Sequence, residues 1–210
     1  MRLTRRLSLT GSTLFALVAS ATVGVAQAAD PAAAAPIDAL NQAVMAAMKA
    51  GKATPFAQRF NNLASAVDRA FDLPGILQAS VGPRFATLPA DQQAKLLDVF
   101  RKFTVASYAA NFDVDEGERL VVLPDQRSVG TDLVVPTQIV PKSGDSVRID
   151  YLMHKGPQGW RAVDVLLNGS ISQNAVKRSD FRSLVSGTSA QPLIDSLQRK
   201  VVELSGGAVQ

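Results

Sequence analysis

The chain has 210 residues, a formal charge of +4, no cysteine and a single histidine. That length suits one domain with a well-buried core, and the composition excludes a disulfide framework and any site built on paired histidines or thiols. The basic excess belongs to the start of the chain: residues 1–28 hold Arg2, Arg5 and Arg6 and no acid, so the remainder carries about one net charge and no Lys/Arg cluster fit for nucleic acid.

In chain order, the charged opening leads into an apolar stretch from Leu14 to Val25 and then Ala26-Gln27-Ala28, the three zones of a signal peptide. Cleavage is expected after Ala28, placing the mature protein in the periplasm. Arg5-Arg6-Leu7-Ser8-Leu9 hints at the twin-arginine route, but Ser8 stands where phenylalanine would strengthen the match, so ordinary secretion is the expectation. A membrane anchor is disfavoured, because Gly11, Ser20, Thr22 and Gly24 interrupt a stretch already shorter than the roughly 20 apolar residues that span a bilayer. No later run approaches that length, so stable insertion in a membrane is not expected.

Residues 29–36, alanine-rich and bounded by prolines, read as a flexible leader before a domain over 37–206. Ile37, Leu40, Val44 and Met48 then recur at helical spacing up to Gly51. Thr54-Pro55 reads as a cap and first turn, opening a helix with Phe56, Phe60, Leu63, Val67 and Phe71 on one face. Asp72-Leu73-Pro74 repeats that logic for a short helix ending near Gly82-Pro83. Pro89 starts the longest helix, with Leu96, Val99, Phe100, Phe103, Ala106 and Ala110 as its apolar stripe and Asp91, Lys95, Asp98 and Lys102 as a solvated one.

After Asn111 the period changes to two, over Glu118–Leu123, Ser128–Val140, Val147–Met153 and Trp160–Leu167, with turn residues between. Val147, Ile149, Tyr151 and Met153 alternate with Arg148 and Asp150, predicting one apolar and one partly wet face. Pro136 points to an edge or a bulge. Helices follow over 170–186 and 192–204. The predicted fold is α+β: a four-stranded curved antiparallel sheet packed with several helices, an NTF2-like cone, as a single domain.

Candidate chemistry is sparse. His154, at a strand end, lacks convergent partners and reads as a surface residue. The acidic run from Asp113 to Glu118 departs from a calcium loop, with Pro124 where the twelfth-position glutamate belongs, and reads as a solvated connection. No phosphate-cradling glycine motif occurs. Trp160 and Asp164 share strand parity, so an inward Asp164 acting as base with Tyr108 or Tyr151 as oxyanion donor is the best enzyme reading. The competing and favoured reading is an aspartate satisfied by Arg161, Arg178 or backbone groups.

Several stretches resemble the periplasmic lipid carriers of the MlaC and toluene-tolerance family. They are Phe71-Asp72-Leu73-Pro74-Gly75-Ile76-Leu77, Val81-Gly82-Pro83-Arg84-Phe85, Leu88–Gln93 with Phe100, Phe103 and Tyr108, the Val147–Met153 strand, Gly159–Val165, Asn168-Gly169-Ser170, and Arg178–Phe181. They cover nearly all of the mature chain in the family's order. Arg84-Phe85 stands where the general family shows a Trp-Arg pair, which resembles the hopanoid-associated branch called HpnM. The resemblance implies a monomeric, non-enzymatic, soluble component of an ABC-type lipid pathway. It would carry phospholipid or hopanoid without a cofactor and dock on an inner-membrane transporter complex.

The pocket implied by that resemblance draws on Phe71, Leu73, Ile76, Phe85, Phe100, Phe103, Tyr108, Ile149, Tyr151, Val163, Val165 and Phe181. Ordinary core packing would use the same residues, and a single sequence does not separate the two.

Overall fold

A computed structural model describes residues 30–210; the signal-peptide reading of residues 1–28 lies outside them. The first helix begins earlier than expected. Helix α1 runs Pro31–Ala50, with Asp30 as its cap accepting from the Ala32 amide at 2.9 Å. Residues 31–36 are therefore helix and not a flexible leader, and Ala33 and Ala34 are buried. Two things were missed. Proline suits the first helical position, and alanine is both the best helix former and small enough to bury at a close contact. The cap is also anchored: the Asp30 amide donates to Gln126 at 2.8 Å.

Helix α2 is Phe56–Ala70, α3 Leu73–Val81, a 3-10 helix spans Gly82–Thr87, and α4 runs Ala90–Asn111. Asp72 caps α3 as expected, accepting from the Gly75 amide at 3.2 Å. Thr54 does not cap α2; its hydroxyl donates back to the Ala50 carbonyl at 3.2 Å and so finishes α1. The charged stripe on α4 is solvated, with Lys95 3.9 Å from Asp91 and Lys102 3.1 Å from Asp98. Buried Arg59 ties α2 to α4 by donating to the Ala109 carbonyl, one of the last three carbonyls of α4, while Nε reaches Thr54 O at 3.2 Å.

The sheet has six strands: β1 Arg119–Val122, β2 Arg127–Val129, β3 Asp132–Val140, β4 Val147–Gly156, β5 Gly159–Leu167 and β6 Ile171–Ser172. The expected four become six because the run from Ser128 to Val140 turns at Gly130-Thr131 into a hairpin, and because β6 pairs briefly with β5. β1 and β2 lie end to end along the same side of β3, interrupted at Pro124. Pro136 is internal and not at an edge. Its carbonyl accepts from Leu123, so its missing N–H faces that interruption, where no partner is needed.

Rows of paired residues cross the helix-facing side: Leu133, Met153 and Ala162; Val135, Tyr151 and Val165; Thr137, Ile149 and Leu167. The opposite face is less wet than expected. Asp150 is 1% exposed there, covered by Arg148 at 2.8 Å and Arg127 at 3.9 Å. Against β5 the register slips: Leu152 faces Asp164 but Met153 faces Ala162, which leaves Val163 as an extra, bulged residue. Side-chain parity therefore inverts across Val163. Trp160 and Ala162 turn to the helices, whereas Asp164, opposite Leu152, turns away from the row of Tyr151 and Val165, so Trp160 and Asp164 do not share a face.

After the sheet come α5, Gln173–Phe181, and α6, Gln191–Ser205. Helix α6 packs along α4, α1 on α2, and α5 on α3, while α1, α2 and α3 all reach β5. The connector between α2 and α3 joins the sheet itself, with Phe71 bridged to Ala162 and the Asp72 amide donating to the Ala162 carbonyl at 2.9 Å. No helix among the described residues is long and apolar enough to cross a membrane.

Candidate functional site: an apolar cavity between helices and sheet

Between the sheet rows and helices α3 to α6 lies a cavity of about 490 Å³, within the range that takes small-molecule ligands. Phe71, Leu73, Ile76, Phe100, Phe103, Tyr108, Ile149, Tyr151, Val165 and Phe181 all line it. Phe85 and Val163 do not. Phe85 sits in the 3-10 helix, half-buried against the core. Val163 is the bulged residue, so the parity that recommended it alongside Val165 fails at that point.

An aromatic group forms part of the wall. The Phe71 ring lies 5.9 Å from Tyr108 and 6.1 Å from Tyr151, and Tyr108 stacks on Phe112 at 5.8 Å. Three of the lining hydroxyls are already used by the backbone: Thr104 donates to Phe100 O at 2.9 Å, Ser107 to Phe103 O at 2.7 Å and Thr137 to Ile149 O at 2.5 Å. Their hydrogens are therefore spent on carbonyls, and most of the wall is apolar, although Asn41, whose buried amide nitrogen has no partner, is also in the lining. Sequence reasoning missed Leu120, Ile139 and Leu197 in the lining, although the helical stripe of α6 does contain Leu197. It also missed Lys177 on α5 and Lys200 on α6, since charged residues carry no signature of a cavity mouth.

Tyr108 and Tyr151 are the chain's two tyrosines. Burial raises the pKa of both above the ordinary 10.0, and for Tyr108 the neighbouring Tyr151 raises it further. The unfolded chain thus releases these protons first. The contribution is intact below about pH 10, and stability falls as pH climbs from there through the folded-state values. In an absorbance titration of the native protein, no tyrosinate signal is expected near pH 10, and both phenols should ionise together on unfolding. Two independent ionisations near pH 10 in the native state would mean that water reaches these hydroxyls freely.

The enzyme candidates dissolve in the same geometry. Asp164 does not line the cavity; its carboxylate accepts from the Val165 amide at 2.8 Å, the Asn174 amide at 3.1 Å and the Ser172 hydroxyl at 2.5 Å. It pins the start of α5. Arg178 is not its partner, donating instead to the Ala79 carbonyl. His154 pairs with Asp132 at 2.7 Å on the surface. Of the acidic run, Asp113 faces Lys52 at 3.5 Å, Asp115 accepts from the Gly117 amide and Glu118 from the Glu116 amide. Among the described residues no cluster of histidine and acids is placed to hold a metal.

Fold and cavity together define a small α+β binding protein with a largely apolar cavity. Residues 38–199 match the MlaC protein family, and the chain belongs to that family. It is a family of periplasmic lipid-binding carriers, not of enzymes. Among solved structures, the chain is similar to the phospholipid-binding protein of Ralstonia solanacearum in complex with a phospholipid. The two share 20% identity and a TM-score of 0.70 over 82% of this chain and 98% of that one. No curated protein matches in sequence.

Proposed function

We propose that this protein is a periplasmic phospholipid carrier, exported by its first 28 residues, that works as a monomer and exchanges cargo with an inner-membrane ABC-type lipid transporter. The observation that carries the reading is the mainly apolar cavity of about 490 Å³, in which the Thr104, Ser107 and Thr137 hydroxyls are bonded to the backbone. A mainly apolar wall suits hydrocarbon and penalises a strongly polar guest. The phospholipid bound by the Ralstonia solanacearum protein on the same fold supports the choice of cargo.

Energetics explain the need for a docking partner. Moving about 16 methylenes from water to an apolar site gains roughly 13 kcal/mol at about 0.8 kcal/mol each. Release into water is correspondingly slow, so unloading requires an apolar path supplied by the transporter.

Hopanoid cargo is the alternative within the same reading. The sequence feature favouring it, Gly82-Pro83-Arg84-Phe85, lies outside the cavity lining, where Arg84 donates to the carbonyls of Arg182 and Val185 at 2.8 Å. It holds the 3-10 helix to the segment after α5 and has no contact through which to choose a cargo. Mass spectrometry of an organic extract from natively purified protein tests the proposal. Glycerophospholipid near one per chain is expected. A polycyclic triterpenoid would redirect the cargo assignment, and an extract free of lipid would remove the carrier reading.

A further inference from the structure

The mouth of the cavity is marked by lining residues that are also exposed: Leu167 at the end of β5, Val176 and Asp180 on α5, and Lys200 on α6. Lys177, half-buried on α5, lines the same opening. The lysines of the α4 stripe each meet a carboxylate, but neither Lys177 nor Lys200 has an ion-pair partner within 4.0 Å among the described residues. The acids near Lys177 do not serve it. Asp164 is committed to Val165, Ser172 and Asn174, and Asp180 is exposed at the rim. Loss of water lowers the Lys177 pKa, against the pull of Asp164 and Asp180. An ammonium group that has given up part of its hydration without gaining a partner is stabilised by any anion brought beside it.

We propose that Lys177 and Lys200 form a seat for a phosphate oxygen at the mouth of the cavity, so that the cargo is recognised as a phosphate-bearing lipid and not merely as a hydrophobe. This inference rests on the carrier reading and deepens it. Two cations and one carboxylate at the rim leave one net positive charge, matching the single negative charge of a phosphodiester. The tails fill the cavity below, and the amphiphile supplies the counter-ion that the protein lacks. Free inorganic phosphate has the same oxygen chemistry but brings no hydrocarbon, so it gains only the weak, solvent-screened part of the interaction.

The test uses the full mature chain, delipidated, with phosphatidylglycerol and diacylglycerol of identical tails as competing ligands. Wild type is expected to prefer phosphatidylglycerol, and Lys177→Gln with Lys200→Gln to lower that preference about tenfold, as loss of charge-assisted hydrogen bonds implies. Lys177→Arg should keep it. Thermal melting checks that the variants remain folded. A preference unchanged in the double variant overturns the seat while leaving the carrier reading intact, whereas a wild type that takes up neither lipid overturns both. Inorganic phosphate alone is expected not to displace bound phosphatidylglycerol. Displacement would assign the lysines to the free ion instead of the head group.

Discussion

Replacing Val165 by tryptophan is expected to strip the protein of its cargo without unfolding it. Val165 sits in the middle row of the sheet beside Tyr151, half-buried, with its side chain on the cavity wall. In a filled core an indole at this position would force side chains off their rotamers at a cost of about 1–3 kcal/mol. Entering a void, the ring instead gains contact with walls that now lack partners. Each methylene it displaces costs the bound lipid about 0.8 kcal/mol, so four displaced methylenes weaken binding by more than roughly a hundredfold. Lipid per chain, measured in an organic extract, should fall to background while the melting temperature holds or rises against that of delipidated wild type. A lower melting temperature with lipid retained would place the cargo elsewhere.

Arg59→Ala is expected to produce the largest loss of stability, about 3 kcal/mol, or about 10 °C in melting temperature for a domain of this size. The side chain is 6% exposed and has no carboxylate within 4.0 Å among the described residues. Its charge is balanced by the negative end of α4, where it donates to Ala109 O, and by the Phe56 ring at 5.3 Å. Truncation strands two carbonyls and removes the stem that packs between α2 and α4. Lysine should recover little, because an ammonium group cannot fork between Thr54 O and Ala109 O in the guanidinium geometry. Urea unfolding that shows a change below about 0.5 kcal/mol would mean that solvent takes over both acceptors.

What could be read in the residues follows from the range of the physics that acts on them. Helical periodicity is local, and the stripes from Ile37, Phe56 and Leu96 mark real buried faces of α1, α2 and α4. Strand parity is local only while pairing stays in register. The bulge at Val163 depends on how β4 meets β5, and nothing in Trp160–Leu167 announces it, so parity alone puts Val163 in the lining with Val165 and Asp164 on one face with Trp160. Residues 31–36 mislead for a different reason: alanine runs look like a tether in composition, yet Ala33 and Ala34 are buried in the core. Phe71, Tyr108 and Tyr151 were legible as large apolar groups. That they surround a space instead of filling it is a property of their joint arrangement, which no single position records.

The back-bonded hydroxyls of Thr104, Ser107 and Thr137 carry a further consequence. Where those three side chains line it, the wall offers a tail van der Waals contact and no hydrogen bond, so there it has little by which to measure one. Along that stretch a double bond or a single methylene meets the same kind of contact wherever it falls, and a bound chain can shift along its axis without breaking a hydrogen bond.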